Sequence, residues 1–209
     1  KTVCSTNASG ITFTTTAASV VAANYNLIGV TITGGLTAGG GNAAFPATGV
    51  AANYIAADTY TNPGDVTLTV TYRVEPVSGA GCKGPQEDIV LTVEPTIKAA
   101  PVNHNPTICS NSTAVPTATD IELLSPTVPS AGTITFNYTA VSSVGAQITG
   151  FVPSLTNLAA GYRIQDALVN NSNNSATVTY TITPVAAGAK GGAGCNGAPA
   201  IVVVNVEPR

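Results

Sequence analysis

The strand motif Val-Thr-Tyr-Arg-Val-Glu-Pro occupies residues 70–76, and the related motif Val-Thr-Tyr-Thr-Ile-Thr-Pro occupies residues 178–184. In both motifs apolar side chains alternate with polar ones, which is typical of a β-strand that buries one face. In the first half of the chain this alternation already begins at Val66. Two such strands, one in each half, indicate an internal repeat.

Other elements recur around this strand at matched spacing. Gly-Ala-Gly-Cys-x-Gly follows it at residues 79–84 and 192–197, each half starts with Thr-x-Cys-Ser at 2–5 and 107–110, and each half ends with Val-Glu-Pro at 93–95 and 206–208. Agreement at so many fixed distances is not expected by chance. We therefore predict a first module over residues 1–97, a linker over 98–105 and a second module over 106–209.

The composition favours an all-β protein, because Thr and Val suit strands while Gly and Pro supply turns. Charged residues make up only 8% of the chain and the net charge is -3, far from the basic balance of a nucleic-acid-binding protein. The longest apolar runs, such as residues 201–204, are much shorter than the roughly 20 residues of a transmembrane helix. We predict two tandem Greek-key β-sandwiches with neither a membrane span nor a nucleic-acid partner.

Further strands are predicted where short apolar runs lie between turn residues. These runs cover residues 11–15, 27–33, 121–124 and 133–139. The last strand of each module is predicted to bury every second side chain, namely Ile89, Leu91 and Val93 in the first module and Val202, Val204 and Val206 in the second.

The four cysteines fall two in each module, and four cysteines allow three disulfide connectivities. We favour Cys4–Cys82 and Cys109–Cys195, because each module then closes on itself. Free thiols or a metal site are the less favoured alternatives, since the chain has no C-x-x-C motif and a single histidine. Disulfides indicate an oxidising, extracytoplasmic compartment.

Residues that could support catalysis or metal binding are few. The single histidine, His104, lies in the predicted linker, where a nucleophile and an orienting acid are hard to assemble around it. Asp58 and Asp166 occupy equivalent positions in the two modules, as do Asn62 and Asn170. A turn or cap role fits these aspartates better than calcium binding, which needs six to eight oxygen ligands.

The acidic pair at residues 87–88 has Pro199-Ala200 at the corresponding place in the second module. A catalytic or calcium-binding pair that defined the module would be present in both copies. We therefore predict that the chain is not an enzyme and has no cofactor.

Carbohydrate binding is the main alternative function. Lectin-like modules present aromatic platforms, but aromatic residues make up 5% of the chain and Trp is absent. Tyr72 and Tyr180 are predicted to face the core. Four other tyrosines, Tyr25, Tyr54, Tyr60 and Tyr162, are predicted to be less restrained. Of these, only Tyr54 and Tyr162 occupy equivalent positions in the two modules.

The repeated elements resemble the PKD-like, immunoglobulin-like repeats of very long Bacteroidota surface proteins. In the second module the matching residues are Leu168-Val169-Asn170, Val178 to Pro184, Gly194-Cys195-Asn196-Gly197 and Val202 to Pro208. The aromatic-Gly-Asp-Gly turn of true PKD domains is missing, and Ile32 and Tyr138 stand where such repeats carry a Trp on the central strand. The resemblance implies an adhesin exported by the type IX system, of the kind that gliding bacteria move along their surface.

These observations predict a structural repeat segment of an extracellular filament or adhesin on a bacterial cell surface. Its expected partners are neighbouring repeats of the same chain, other fibre chains or surface glycans. Ile201 and Val203 are predicted to point outward from the last strand of the second module, where they could contact a neighbouring module.

Overall fold

The structure is a computed structural model, and it describes residues 1–16, 19–110, 117–187 and 194–208. The chain forms two compact units. Unit 1 contains Lys1–Thr96 together with Val128–Ala131, and unit 2 starts at Ile97 and contains most of the rest. The described residues are almost entirely strands and loops, with one short 3-10 turn at Gly145–Gln147. The prediction of an all-β fold is confirmed.

The described residues of unit 1 form seven strands. They are β1 (Thr2–Val3), β2 (Ala22–Ile32), β3 (Thr37–Ala38), β4 (Ala47–Val50), β5 (Tyr60–Thr61), β6 (Leu68–Ser78) and β7 (Glu87–Val93). The main sheet has the order β1-β7-β6-β2-β4, and β3 pairs with β5 in a second, two-stranded sheet.

Unit 2 repeats this plan with more short strands. They are β8 (Val102–Asn103), β9 (Thr107–Cys109), β10 (Ile121–Glu122), β11 (Thr133–Ser142), β12 (Ile148–Thr149), β13 (Ser154–Ala159), β14 (Arg163–Ile164), β15 (Val169–Asn170), β16 (Ala176–Ala187), β17 (Cys195–Asn196) and β18 (Ala200–Glu207). The main sheet has the order β13-β11-β16-β18-β9, with β17 paired to β16, while β14-β10-β8 and β12-β15 form smaller sheets.

The period-two pattern places the predicted side chains in the core of each unit. Val70, Tyr72 and Val74 on β6 are buried, and so are Val202, Val204 and Val206 on β18. The register of the pattern is wrong only at its edge, because Val66 precedes β6 and is 55% exposed. The strand predicted at residues 11–15 is not formed, although its apolar side chains, Ile11 and Phe13, are still buried against the main sheet.

The strand at the Thr-x-Cys motif, β1 in unit 1 and β9 in unit 2, is called the first strand of its module, and it runs parallel to the last strand, β7 or β18. Thr2 lies beside Thr92 and Val3 beside Val93, while Thr107 lies beside Asn205 and Cys109 beside Glu207. The first strand thus meets the last strand at the end where that last strand finishes. We call this the exit end of each unit, and we call the opposite end, where the turn between the last two long strands lies, the hairpin end.

The segment predicted as a linker, residues 98–105, is hydrogen-bonded within unit 2. The Lys98 amide donates to Thr127 Oγ1 at 3.1 Å, the Ala100 amide donates to the Leu124 carbonyl at 2.7 Å, and β8 pairs with β10. The segment is therefore paired along its length, and the domain boundaries given above stay a prediction.

Candidate functional site

Each core contains a buried tyrosine that donates a hydrogen bond to a buried aspartate. The Tyr72 hydroxyl donates to Asp58 Oδ2 at 3.0 Å in unit 1, and the Tyr180 hydroxyl donates to Asp166 Oδ2 at 2.7 Å in unit 2. Both tyrosines are fully buried and both carboxylates are less than a tenth exposed. The repeated Asp therefore completes a polar pair inside the core rather than a surface site.

Burial governs the ionisation of these groups. Loss of water raises the pKa of Tyr72 and of Tyr180, and the neighbouring hydroxyl or carboxylate raises it further. Desolvation likewise raises the pKa of Asp166 above its ordinary value of 3.8, although the Tyr180 hydroxyl opposes that shift. Burial also raises the pKa of Tyr138 to about 12. Such tyrosines stay neutral over the physiological range and act as donors, not as acids or bases.

A second buried anchor lies at the exit end of each unit and is built on asparagine. In unit 1 Asn62 Nδ2 donates to the carbonyls of Val66 at 2.9 Å and Val93 at 3.0 Å, and its own amide donates to Ser5 Oγ at 2.9 Å. The side chain of Asn62 thus joins the segment before β6 to the end of β7, and its backbone amide adds a bond to Ser5, two residues after β1.

Unit 2 repeats the same anchor with equivalent residues. Asn170 Nδ2 donates to the carbonyls of Asn174 and Val206, both at 2.9 Å, and the Asn170 amide donates to Ser110 Oγ at 2.9 Å. Both asparagines are completely buried. Buried amides with all partners in place specify one register of the strands around them.

The role of Ser5 and Ser110, whose hydroxyl oxygens accept the bonds from the Asn62 and Asn170 amides, was not predicted from the sequence. Both belong to the Thr-x-Cys-Ser motif that starts each module, and the repeated Ser was itself the available signal. The burial of Tyr60 was also missed, because its isolated sequence position shows no alternation with apolar neighbours. Its hydroxyl lies 2.9 Å from that of Tyr72, and the chain around it packs into the core.

The structure contradicts both predicted disulfide pairs. Cys4 and Cys195 are each disulfide-bonded, whereas Cys82 and Cys109 are free and exposed. A disulfide requires Cα atoms about 4.4–6.8 Å apart.

The strand register explains why neither pair forms. Cys4 follows β1 at the exit end of unit 1, and Cys82 lies beyond Ser78 at the hairpin end. The 11 residues of β6 separate them, a span of about 33 Å at 3.3 Å per residue. In unit 2 the same argument holds, since Cys109 pairs with Glu207 and Cys195 pairs with Ala186 at opposite ends of β16.

The polar residues considered for chemistry lie on the surface in ion pairs. His104 Nε2 is 3.2 Å from Glu122 Oε2, and the adjacent Arg163 guanidinium binds Asp120 through two contacts of 2.5 and 2.6 Å. Asp88, of the acidic pair found in one module only, binds Arg73 at 2.9 Å. Over the part of the chain that the structure describes, no group of three or more His, Cys, Asp and Glu is placed to hold a metal ion.

The tyrosines do not form an aromatic platform. Tyr25 and Tyr60, predicted to be less restrained, are 7% and 3% exposed, which corrects that expectation. The Tyr25 ring packs against Phe13 with a centroid distance of 5.1 Å. Tyr54 donates to the Ala44 carbonyl at 3.1 Å, and Tyr162 is 39% exposed. These last two belong to different units.

The remaining predicted positions divide between core and surface. Tyr138 is buried on the central strand of unit 2, as expected of a residue in place of Trp, but Ile32 is 39% exposed at the end of β2. Its place in the core of unit 1 is taken by Leu27, which pairs with Val74 as Tyr138 pairs with Ile182. Ile201 and Val203 are 68% and 47% exposed, and their contact with a neighbour stays a prediction.

Structural comparison gives weak overall likenesses to several solved structures. The chain resembles domains 4 and 5 of the S-layer protein SbsC (14% identity, 94% of this chain and 78% of that chain, TM-score 0.34). It also resembles chicken VE-cadherin EC1-2, at 11% identity over 100% of this chain and 96% of that chain, with a TM-score of 0.33. The D00-D0 domain of intimin is similar at 13% identity over 88% of each chain, with a TM-score of 0.32.

Sequence comparison is more specific for the second half of the chain. No curated protein sequence matches the chain. The residues that the structure describes contain no helix long and apolar enough to cross a membrane. Residues 106–209 match the family model of the PKD-like domain.

Proposed function

We propose that this chain is a structural repeat segment of a long extracellular surface filament or adhesin, in which it spaces and stiffens the fibre for surface attachment. The observation that supports this proposal is which residues the two units have in common. The shared residues are internal: the Tyr–Asp pairs and the Asn anchors are buried in both units, and of their Ser partners Ser110 is buried and Ser5 half-buried. The exposed ion pairs are not shared.

The match to the PKD-like domain supports the same reading, because that domain is a structural module. The resemblance of the repeated motifs to Bacteroidota surface proteins adds the finer proposal of a type IX-secreted adhesin that takes part in gliding. An oxidising, extracellular location on the bacterial cell surface agrees with the disulfide-bonded state of Cys4 and Cys195.

Small-angle X-ray scattering tests the spacing role. We would compare the chain with a tandem of two copies, in which residues 1–208 are followed by a second 96–105 segment and then by residues 1–209. A spacer predicts that the maximum particle dimension grows about twofold with a copy number of two. A tandem that folds back to less than about 1.3 times the single length would contradict it.

A glycan array with the same two proteins tests the alternative, a carbohydrate-binding module. The spacer role predicts no saturable binding by either protein. Binding that increases from one copy to two through avidity would instead support the lectin-like function. Tyr162→Ala, at the more exposed tyrosine, would then identify whether that side chain contributes.

A further inference from the structure

Strand β18, the last strand of unit 2, has one unpaired backbone edge over part of its length. Its inner edge pairs with β16 from Ala200 to Val206 without a shift in register. Its outer edge pairs with β9 at Asn205–Glu207 only, and no other described strand lies along that side. We call the outer side of residues 200–204 the free edge of β18.

The direction of the backbone groups on the free edge follows from the bonds further along the strand. The Asn205 amide donates to the Pro106 carbonyl at 2.9 Å, so it points outward, away from β16. Because the N–H and C=O of a strand residue point to the same side and this side alternates, those of Ile201 and Val203 also point outward. The Val203 carbonyl agrees with this direction, since it accepts a hydrogen bond from Asn103 Nδ2 at 3.3 Å.

The side chains along the free edge are apolar and uncharged. Residues 200–204 read Ala-Ile-Val-Val-Val. Ile201 and Val203 are 68% and 47% exposed. β-branched side chains favour strands, and an edge of this kind is a template for a further strand unless charged side chains protect it.

The equivalent edge in unit 1 has that protection. Strand β7 also pairs with its first strand only at its last two residues. At the spacing set by Cys82 and Cys195, the residue equivalent to Ile201 is Asp88, and the exposed Glu87 precedes it. Two copies of this edge would bring carboxylates together. The two units therefore share the edge geometry and differ in its charge.

Self-pairing of the free edge has one register that uses all its outward groups. With two antiparallel copies centred on Val202, Ile201 of one copy lies opposite Val203 of the other, and these residues exchange both backbone hydrogen bonds. A register centred on Ile201 would place Val203 opposite Pro199, which has no N–H. A register centred on Val203 would place Ile201 opposite Asn205, whose amide is already bonded.

We propose that the free edge of β18 binds the same edge of a second copy of this chain, antiparallel and centred on Val202. The main sheets of the two copies of unit 2 then form one continuous sheet. The occupant is a second copy because the edge carries no charge and matches itself in hydrogen bonds and in side chains, with each Ile201 beside a Val203. This contact goes beyond the spacing role, since it joins two chains side by side and closes on itself by two-fold symmetry.

The contact is small, so the dimer of isolated chains should be weak. Interfaces that are stable on their own bury about 1,000 Å² or more, which a single short strand pair does not reach. We expect a Kd on the order of 10⁻⁴ M for the chain alone. Where several copies are linked, the contacts act together and the pairing becomes tighter through avidity.

Sedimentation equilibrium of the full chain at about 10 µM to 1 mM tests the pairing. Cys82→Ser/Cys109→Ser serves as the parent, because both cysteines are free and exposed and would otherwise allow disulfide-linked dimers. The parent should show a monomer–dimer equilibrium. Ile201→Asp, which gives β18 the acidic residue that β7 has at this position, should weaken it at least tenfold. A parent that stays monomeric throughout, or an Ile201→Asp variant that dimerises equally well, would overturn the proposal.

Val141→Asp is the matched control for the added charge. Val141 is 65% exposed on the same outward face of the sheet, and it lies in one cross-strand row with Thr179 and Val203. Because it is on β11, away from the free edge, strand pairing predicts an unchanged Kd for this variant. A loss equal to that of Ile201→Asp would mean that the sheets pack face to face, and it would exclude edge pairing.

Cysteine cross-linking tests the register. A mixture of Ile201→Cys chains and Val203→Cys chains, each in the same parent, should form a disulfide-linked dimer in oxidised glutathione. Residues directly opposite have Cα atoms about 5.5 Å apart, within the range of a disulfide. Either variant alone should form little dimer, since its two cysteines would be about 9 Å apart. Self-linking of either variant as fast as the mixture would contradict the register centred on Val202.

Discussion

The two buried Tyr–Asp pairs occupy the same place in the two units, yet their neighbours differ. In unit 1 the Tyr72 hydroxyl contacts both Asp58 and the hydroxyl of Tyr60, at 3.0 and 2.9 Å. In unit 2 the residue equivalent to Tyr60 is Leu168, which is fully buried and apolar, and the Tyr180 hydroxyl is hydrogen-bonded to Asp166 and to Thr119. The third group of the network is thus a tyrosine hydroxyl in unit 1 and a threonine hydroxyl from another segment in unit 2.

The Asn anchors, by contrast, share the same backbone partners in both units, and Asn170 Oδ1 accepts one further bond, from the Ser172 hydroxyl. Asn62 and Asn170 each bond two carbonyls through Nδ2, and each accepts an amide proton on Oδ1 from the residue two positions later. The comparison teaches that the strand anchors are fixed features of the module, while the third hydroxyl of the polar core comes from a different residue in each unit. Mutations at these positions can break or sharpen that distinction.

Removal of an Asn anchor should have the largest effect. Asn62→Ala and Asn170→Ala each leave one buried and one half-buried carbonyl without a donor, and we expect each to lower the free energy of unfolding by about 4 kcal/mol. Urea unfolding followed by far-UV circular dichroism measures the loss. Asn171→Ala, at the exposed neighbouring position, is the matched control and should change little. A clear inequality between the two anchors would show that they are not equivalent.

Removal of the buried hydroxyls should have a smaller and unequal effect. Tyr180→Phe leaves one carboxylate oxygen without its donor and should cost about 2 kcal/mol. Tyr72→Phe also removes a partner of Tyr60 and should cost about 3 kcal/mol. The same urea experiment compares them.

The double variant Tyr60→Phe/Tyr72→Phe isolates the contribution of the Tyr60 hydroxyl in unit 1. Because it removes both hydroxyl groups together, it should be less destabilised than the sum of the two single variants. Strict additivity would show that the 2.9 Å contact between the hydroxyls contributes no coupling.

The smallest effect concerns pH. Burial raises the pKa of Asp166 above 3.8 in the folded state, so the folded protein holds this proton more tightly than the unfolded chain does. The stabilisation that results is present below the unfolded pKa and is lost as the pH rises through the folded pKa. Asp166→Asn should therefore flatten the fall in melting temperature as the pH rises above about 4.

Asp120 provides a control of opposite sign. Hydrogen bonds from Arg163 lower the pKa of its carboxyl, so its contribution to stability is present above the unfolded pKa and is lost as the pH falls through the folded one. Asp120→Asn should thus weaken the loss of stability on acidification. Equal pH profiles for the two variants would contradict the assignment of the Asp166 shift to burial.

The parts of the fold that follow from local alternation were predictable from sequence. The faces of β6, β16 and β18 were correct because a buried sheet face requires a period of two, and the equivalence of Asp58 and Asp166 was visible from spacing alone. What these aspartates contact was not predictable, since it depends on tyrosines that reach them across the core. Asp58 was separated from Tyr72 by a turn and a strand.

The disulfide pairs could not be predicted because they depend on strand direction. Two cysteines in one module suggest a closed loop only if the first strand brings Cys4 towards the turn that holds Cys82. The parallel pairing of β1 with β7 instead leaves the two cysteines at opposite ends of the sheet. The spacing of residues in the sequence does not show whether a two-residue strand runs parallel or antiparallel to its neighbour.

The same parallel pairing has a mechanical consequence. In unit 1 the Thr92 amide donates to the Lys1 carbonyl and the Glu94 amide to the Val3 carbonyl, and in unit 2 the Asn205 and Ser110 amides bond Pro106 and Glu207. Tension along the chain pulls the first and last strands of a unit in opposite directions along their length. It loads these hydrogen bonds in shear, all at once, instead of opening them one by one as in peeling a hairpin.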